Sequence, residues 1–310
     1  MTTRIILDCD PGHDDAMAIL LALGHPEIEL AAITTVAGNH PLEITTLNAR
    51  RVCTLAGVRD VPIAAGCDAP LVRPLVTATE IHGTTGLQGH TWGEPTVDIV
   101  KEHGVDLIID LALASPGEIT LVPTGPLTNI AMALRKEPRI VDHIREVVLM
   151  GGSYTRGNVT PAAEFNVYVD PEAAEAVFGA GWRVTMVGLD VTHMANATVD
   201  VLDQIKAVGS DIASAVVGLL GFYRDRQLRE FGTAAPHVHD PVAVARVIKP
   251  ELVTCSEARV EVELAGRLTR GMTVTDFRMR DGSSPNALVG TRLDSEGFWN
   301  LFVDAIARLG

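Results

Sequence analysis

Cysteines and positive charge are both scarce in this sequence. Its four cysteines lie far apart and form no Cys-x-x-Cys pair, so their spacing predicts neither a zinc site nor a disulfide framework. Lysine and arginine together number 25 against 39 acidic residues, which leaves a formal net charge of −14. A nucleic-acid polymer needs a basic face on its protein partner, and this charge balance argues against such a partner.

Long apolar runs and nucleotide-cofactor motifs are missing as well. The longest apolar run, residues 16–23, is far shorter than the roughly 20 residues that a membrane span requires. Asp8 and Asp10 interrupt the apolar start of the chain, so no secretion signal is predicted, and neither GxGxxG nor GxxxxGK occurs. We therefore expect a globular, cytoplasmic protein that binds a small molecule and no membrane.

The residues that are present suit one large domain. With 310 residues and 47% hydrophobic composition, the chain can bury a full core. Short β-branched runs are predicted to be strands at residues 4–7, 29–36, 119–122, 146–150 and 183–189. Helical patterns lie between or after them at residues 14–23, 41–56, 97–114, 127–134, 171–178 and 200–229, where Gly209 and Gly218 are candidate breaks.

This alternation predicts an α/β fold with a mostly parallel central sheet flanked by helices, similar to a Rossmann arrangement. Further strands are predicted at residues 260–264 and 272–277, followed by a closing helix at 298–309. Because no linker or change of composition divides the chain, residues 1–310 are predicted to form one domain.

Four aspartates follow the first predicted strand, namely Asp8, Asp10, Asp14 and Asp15. In open parallel sheets, ligands bind beyond the carboxyl ends of the strands. One of these aspartates could simply cap the following helix, but four of them within eight residues would repel one another without compensation. Oxygen ligands with no cysteine nearby favour Ca²⁺ or Mg²⁺, so the cluster predicts a site for a hard divalent cation.

Two further polar clusters each allow two interpretations. Glu164 and Asn166 would point the same way if extended and would suit sugar hydroxyls, whereas the alternative is a solvated loop. Asp240 could cap the helix that follows, with a proline at its first position. Alternatively, His239 and Asp240 place a proton donor next to a metal ligand.

Taken together, these clusters resemble the nucleoside hydrolase family, the inosine–uridine-preferring N-ribohydrolases and their ribonucleoside relatives. Residues 8–16, DCDPGHDDA, match the aspartate signature of the family. The other matches, in the order and spacing of the family, are GN at 38–39, IHG at 81–83, PTGPLTN at 123–129, MGG at 150–152, EFNVYVDP at 164–171 and HDP at 239–241.

The resemblance implies hydrolysis of the N-glycosidic bond of ribonucleosides to ribose and free base. It implies a Ca²⁺ ion held by Asp10, Asp15, the main-chain carbonyl of Thr124 and Asp240. Asp10 would also be the general base for a metal-bound water, and His239 would be the second catalytic residue, facing the base. The implied substrate-binding residues are Asp14, Asn39, His82, Met150, Asn158, Glu164, Phe165, Asn166, Tyr223 and Gln227.

Each of these residues has an expected place along the substrate. Asp14, Asn39 and Asn166 would hold the ribose 2′- and 3′-hydroxyls, while Asn158 and Glu164 would hold the 5′-hydroxyl. Met150 would lie near the ribose, His82 would face the base, and Asp8 would support the loop from behind. The resemblance also suggests a homodimer or homotetramer.

Base preference is predicted from departures from the family pattern. Purine-specific members carry tryptophans near position 82, whereas the only tryptophans here are Trp92, Trp182 and Trp299. Tyr223 is typical of purine-accepting members and Gln227 of pyrimidine-preferring ones, while Phe231 replaces a tyrosine of some relatives. We expect uridine and cytidine to be preferred, with inosine weaker or comparable.

Three alternatives remain open at this point. One is a hydrolase with broad inosine–uridine specificity. A second is a non-catalytic protein that binds nucleosides or ribose. The third is a phosphatase of the haloacid dehalogenase type, because Asp8-x-Asp10 after a strand superficially fits its nucleophile, although the tandem Asp14-Asp15 does not.

Overall fold

A nine-stranded, mostly parallel sheet runs through the computed structural model, which describes residues 2–232 and 235–310. Its strands occur in the order β3-β2-β1-β4-β5-β6-β9-β7-β8. Neighbouring strands from β3 to β9 are parallel, whereas β7 pairs antiparallel with both β9 and β8. The strands are β1 (Thr3–Cys9), β2 (Ile28–Thr35), β3 (Ile63–Ala65), β4 (Ile119–Pro123), β5 (Ile144–Met150), β6 (Val184–Val187), β7 (Val253–Val262), β8 (Thr273–Asp276) and β9 (Ala287–Leu293).

Helices cover this sheet and bury two apolar cores against it, which confirms the predicted fold class. The helices are α1 (His13–Gly24), α2 (Leu42–Leu55), α3 (Thr79–His82), α4 (Gly104–Ala114), α5 (Thr128–Lys136), α6 (Ile140–His143), α7 (Phe165–Val169), α8 (Pro171–Phe178), α9 (Leu189–Thr192), α10 (Val199–Ala207), α11 (Asp211–Phe231), α12 (Pro241–Ile248) and α13 (Ser295–Leu309). Among the described residues, no helix has the length and apolarity needed to cross a membrane.

Several predicted elements have different bounds in the structure; for example, the strand expected at 260–264 is the end of β7, which ends at Val262. The helix expected at 97–114 begins only at Gly104, and the strand expected at 183–189 ends at Val187, before α9 begins. The helix expected at 200–229 is two helices, because Gly209 adopts a left-handed φ of +77° between α10 and α11. Gly218, the other candidate break, lies inside an uninterrupted α11.

The strand order explains why the polar residues after the strands meet. β1 lies between β2 and β4, and β4 pairs in parallel with β5. Their carboxyl ends therefore lie at one edge of the sheet, which brings the residues after Cys9, Thr35, Pro123 and Met150 together. The side chain of Phe231, considered above for base preference, lies outside those that the structure describes.

Candidate active site

Asp15, in the first turn of α1, is the hydrogen-bond centre of the aspartate cluster. One of its oxygens accepts the N–H of Asp10 at 3.2 Å and the hydroxyl of Thr124 at 3.1 Å. The other accepts the N–H of Gly12 at 3.0 Å and the side-chain amide of Asn39 at 3.2 Å. These bonds satisfy free amides near the helix N-terminus, where a negative charge is favoured by the helix dipole.

The two carboxylate oxygens of Asp10 have different surroundings. Oδ2 accepts the N–H of Asn39 at 2.6 Å, whereas Oδ1 is buried without a hydrogen-bond partner among the described residues. Glycines leave room for both atoms. A Cβ at Gly38 would lie 2.1 Å from Oδ2, and one at Gly125 would lie 2.7 Å from Oδ1.

Asp14, Asp15 and Asp240 each place a carboxylate oxygen within 4.8 Å of those of the other two. Burial raises the pKa of all three carboxyls, and mutual repulsion adds to this effect at Asp14 and Asp240, so the pKa of Asp14 is raised to about 7. Asp10 is subject to the same two effects, and its pKa is raised well above the ordinary value. A cation would relieve this repulsion, and oxygen-only donors suit a hard divalent ion.

Asp240 does not act as a side-chain cap. It precedes Pro241 at the start of α12, as the capping interpretation expected, but its carboxylate accepts no capping hydrogen bond. The carboxylate instead lies with those of Asp14 and Asp15. The geometry therefore favours the metal-ligand interpretation of this residue.

Asp8 lies deeper, beneath the cluster. One of its oxygens accepts the hydroxyl of Thr34 at 2.5 Å and the amide of Asn129 at 2.7 Å, and burial raises the pKa of the carboxyl to about 7. These contacts join β1 to β2 and to α5, as a supporting role would require. Asp8 does not line the cavity, so the phosphatase interpretation loses the exposed nucleophile that it needs.

Glu164 and Asn166 belong neither to an extended segment nor to a solvated loop. Glu164 caps α7, and its carboxylate accepts the N–H groups of Asn166 at 2.9 Å, Val167 at 3.2 Å and Gly152 at 2.9 Å. Capping by this carboxylate stabilises a short helix at this place. Despite the different backbone, both side chains line the same cavity.

Asn166 also connects the ends of β4 and β5. Its side-chain amide donates to the main-chain carbonyls of Thr124 at 2.7 Å and Met150 at 3.1 Å. The carbonyl of Thr124, a predicted metal ligand, thus accepts one hydrogen bond and keeps a second lone pair. Nearby, Asn158 accepts the N–H of Phe165 at 2.9 Å.

Aromatic rings form another part of the cavity wall. His82 stacks on Tyr223 with ring centroids 5.5 Å apart, and Nδ1 of His239 lies 2.7 Å from the hydroxyl of Thr192. Burial lowers the pKa of both histidines well below the ordinary value, and neighbouring histidines lower it further. Both imidazoles are therefore neutral near pH 7, where each still has one N–H to donate.

Gln227 links α11 to the segment that leads to His239. Its side chain accepts the N–H of His237 at 3.0 Å and donates to the carbonyl of His237 at 3.3 Å. Tyr223 lies one turn earlier on α11, and both side chains line the cavity.

One cavity of about 910 Å³ brings the predicted residues together. All ten predicted substrate-binding residues line it, as do Thr124, His239 and Asp240. Asp10 and Asp15 lie fully buried beneath its floor. None of the three tryptophans lines it.

Sequence reasoning missed part of the cavity wall. Arg156, His193 and residues 76–81 also line the cavity, and so does His237, which the sequence showed only as a neighbour of His239. His193 follows β6 at the same edge of the sheet, so its place after a strand was an available signal. Arg156 lies in a loop with no comparable pattern.

Comparison with known proteins gives consistent results at the levels of family, sequence and structure. The family model described as inosine-uridine preferring nucleoside hydrolase matches residues 5–300. The chain is 52% identical over 312 residues to the inosine-uridine preferring nucleoside hydrolase of Crithidia fasciculata, covering 100% of this chain and 99% of that protein. It is 44% identical over 307 residues to the pyrimidine-specific ribonucleoside hydrolase RihA of Escherichia coli K12, with 99% of each chain covered.

A solved structure, the purine-preferring ribonucleoside hydrolase from Gardnerella vaginalis, is similar throughout. Its TM-score is 0.93 at 34% sequence identity, and the similarity covers 99% of both chains. The likeness therefore extends over the sheet, its helices and the edge that carries the cavity.

Proposed function

The chain belongs to the family of inosine-uridine preferring nucleoside hydrolases, and on this premise we propose that uridine and cytidine are its preferred substrates. Its reaction is hydrolysis of the N-glycosidic bond of ribonucleosides. The observation that carries the proposal is one cavity whose wall contains carboxylates, carboxamides and two predicted base-facing histidines. These groups suit the hydroxyls of a sugar and the ring of a base.

The ribose is assigned to the carboxylates and carboxamides of the cavity wall. We assign its 2′- and 3′-hydroxyls to Asp14, Asn39 and Asn166, and its 5′-hydroxyl to Asn158 and Glu164. All five line the cavity, and each has the donors or acceptors that a hydroxyl needs. Cleavage of a glycosidic bond develops positive charge on the sugar, which nearby carboxylates stabilise.

Ca²⁺ is the proposed cofactor, held by Asp10, Asp15, the carbonyl of Thr124 and Asp240. The buried, unpartnered oxygen of Asp10 and the repulsion among the aspartates support a hard cation at this place. The structure adds Asp14 as a close neighbour of the set. When bound, the ion would lower the pKa of a water molecule that attacks the sugar.

Asp10 is proposed as the general base. Its Oδ2 is held by the N–H of Asn39, so Oδ1 is the atom left to accept a proton. Gly38 and Gly125 keep the space around these oxygens clear of side chains. The carboxylate is therefore fixed in orientation before any substrate enters.

His239 is proposed to assist departure of the base. Its contact with Thr192 orients the imidazole, and it lines the cavity beside His193 and His237. Because burial and these two histidines lower its pKa, it would donate a hydrogen bond as the neutral imidazole at pH 7.

Broad inosine–uridine specificity is the second candidate, and the 52% identity to the enzyme of that name favours it. The absence of tryptophan from the described cavity wall and the presence of Gln227 support the pyrimidine preference. Release of reducing sugar from uridine, cytidine and inosine, compared as kcat/KM, tests the two directly. A value for inosine equal to that for uridine would favour the broad enzyme.

The same assay separates the remaining alternatives. Binding of uridine without ribose release would indicate a non-catalytic binder, and phosphate release from a phosphoester would indicate a phosphatase. The cytoplasmic location, the homodimer or homotetramer, and the single domain at residues 1–310 remain predictions of the sequence.

A further inference from the structure

His13, the first residue of α1, contacts His82 in the cavity wall but has no part in the mechanism proposed above. We infer that its main-chain N–H is a positioning group that fixes His82 as the tautomer with hydrogen on Nε2. The cavity then presents a permanent hydrogen-bond donor to the base. This inference rests on the proposed function, since it concerns how the base of a nucleoside is met.

The first observation is a hydrogen bond from the main chain. The N–H of His13 donates to Nδ1 of His82 at 3.2 Å, and both residues are buried. The first amides of a helix have no partner within the helix, so this bond supplies the acceptor that the N–H needs. The peptide plane fixes the position of the amide hydrogen, and Nδ1 must therefore be bare to accept it.

The ring of His13 acts against this assignment. Its Nε2 lies 2.8 Å from the carbonyl of Gln88, which can only accept, so Nε2 carries a hydrogen. Nδ1 of the neutral His13 ring is then bare, and it lies 3.3 Å from Nδ1 of His82. This contact alone would favour a hydrogen on Nδ1 of His82, so the main-chain amide and the ring of His13 favour opposite tautomers.

The opposite tautomer of His82 is disfavoured by the main chain. A hydrogen on Nδ1 of His82 could be donated to the His13 ring, but it would lie against the amide hydrogen of His13 and the two would repel each other. The buried amide would then lose its acceptor, and an unsatisfied buried donor destabilises the folded protein. The hydrogen of a neutral His82 is therefore placed on Nε2.

Nε2 is also the end of the ring that reaches the cavity. His82 lines the cavity, and its Nε2 is neither bonded to a described residue nor among the described nitrogens that are buried without a partner. Gly12 allows this placement, because a Cβ there would lie 2.5 Å from Nδ1 of His82. Tyr223 also contacts the ring of His82 by stacking.

His239 differs in this respect. The partner of its Nδ1 is the hydroxyl of Thr192, which can either donate or accept. The tautomer of His239 is therefore left open, whereas that of His82 is set by the helix that also carries Asp14 and Asp15. A fixed Nε2–H suits an acceptor on the base, such as a pyrimidine carbonyl oxygen or a purine ring nitrogen.

Nitrogen NMR of the full-length protein labelled with ¹⁵N-histidine tests the tautomer without substrate. Long-range ¹H–¹⁵N spectra distinguish bare from protonated ring nitrogens, and the His82→Gln variant identifies the signals of His82. We expect Nδ1 of His82 to be bare and Nε2 to carry hydrogen. A protonated Nδ1 in the wild-type protein would overturn the inference.

The His13→Phe variant separates main chain from side chain. It keeps the amide N–H and an aromatic ring but removes both ring nitrogens, so the spectrum of His82 should keep its bare Nδ1. A change to a protonated Nδ1 in this variant would assign the tautomer to the His13 ring and overturn the role of the main chain.

Two substitutions of His82 test the donor itself. In His82→Gln the side-chain amide supplies a donor, so kcat/KM for uridine should fall by no more than about tenfold, whereas His82→Leu should lose about a hundredfold or more. Equal losses in both variants would contradict the donor role. If the wild-type protein released no ribose from uridine, the proposed function would be wrong. The NMR experiment would still decide the tautomer of His82, because it needs no substrate.

Discussion

At the scale of single residues, the unequal surroundings of Asp10 lead to a prediction on catalysis. Asp10→Asn removes the charge and the basic oxygen that we assign to proton transfer, so kcat for uridine should fall by about a hundredfold or more. Asp8→Asn is the matched control, because it makes the same substitution two residues earlier, in β1, at a carboxylate bonded to Thr34 and Asn129. Ribose release from the two variants measures the difference, and equal losses would argue against Asp10 as the base.

His239 leads to a prediction that depends on the leaving group. His239→Ala should slow hydrolysis of uridine and inosine, whose bases are poor leaving groups, by about a hundredfold. It should spare an activated nitrophenyl riboside, which needs no donor. Steady-state rates with both substrate types make the comparison. An equal loss of rate with both would show that His239 has a positioning or structural role and is not the hydrogen-bond donor to the leaving base.

His193 leads to a prediction on how stability depends on pH. Burial, His237 and Arg156 lower its pKa to about 4 from an ordinary value of 6.5. As the pH falls from 6.5 towards 4, the unfolded chain therefore takes up this proton before the folded one does, and the folded state loses stability. Above pH 6.5 the effect is absent.

Replacing the imidazole tests this sign. In His193→Gln, the loss of unfolding free energy between pH 7 and pH 5 should be smaller than in the wild-type protein. Urea unfolding at the two pH values gives the comparison. An unchanged difference would mean that His193 is protonated equally in the folded and unfolded chains.

At the scale of elements, the two ends of α11 are determined by residues that are neighbours in the sequence. Its start is set by Ser210, whose hydroxyl accepts the N–H of Ala213 at 3.2 Å, and its end by Gly232 with a left-handed φ of +69°. Gly209 separates it from α10, as the sequence allowed. This helix carries Tyr223 and Gln227 into the cavity wall.

The cap of α11 leads to a prediction on stability. Ser210→Ala should lower the unfolding free energy by about 1 kcal/mol, because one buried helix amide loses its acceptor. Ser214→Ala, an exposed position within the same helix, should leave it nearly unchanged. Denaturant unfolding measures both variants, and equal values would show that the cap contributes nothing.

Two elements show where local signals fail. Strand β9 was not predicted, although it joins β6 to β7 across the sheet, and its Gly290 packs against Val191 and Val253 with no room for a Cβ. Helix α7 was not predicted either, although Glu164 provides its cap. In both cases long-range packing or a side-chain cap determines the structure.

At the scale of the whole molecule, the aspartates couple metal binding to folding. The cluster draws carboxylates from α1 and from the residue before α12, which are distant in the sequence. An ion that binds only the folded arrangement stabilises it by mass action. Ca²⁺ at a hundred times its Kd should add about 2.7 kcal/mol to the unfolding free energy, and chelation should abolish ribose release.

Thermal unfolding with and without Ca²⁺ measures this effect. In Asp240→Asn the rise of Tm should be strongly reduced, because one charged ligand is lost while the residue before Pro241 keeps its shape. Full activity in verified calcium-free protein, or an equal rise of Tm in the variant, would contradict the assignment.

The sequence by itself determined the features that depend on neighbouring residues. Strand and helix alternation predicted the mostly parallel sheet, and the aspartates at 8–15 predicted a polar edge after β1. These inferences hold because hydrophobic periodicity and the direction of a parallel strand are local properties. The family resemblance added ten substrate-binding residues, and all ten line one cavity.

Only the tertiary structure decided which atoms of those residues meet. It placed Asn39 on Asp10, Asn166 on the carbonyl of Thr124, and the amide of His13 on His82, 69 residues away. It also turned Glu164 into a helix cap and left one oxygen of Asp10 without a hydrogen-bond partner in the part of the chain that the structure describes. The reason is that a buried polar group needs a hydrogen-bond partner, and chain packing determines which residue provides it. That residue can lie at any separation along the sequence, so the sequence pattern does not predict it.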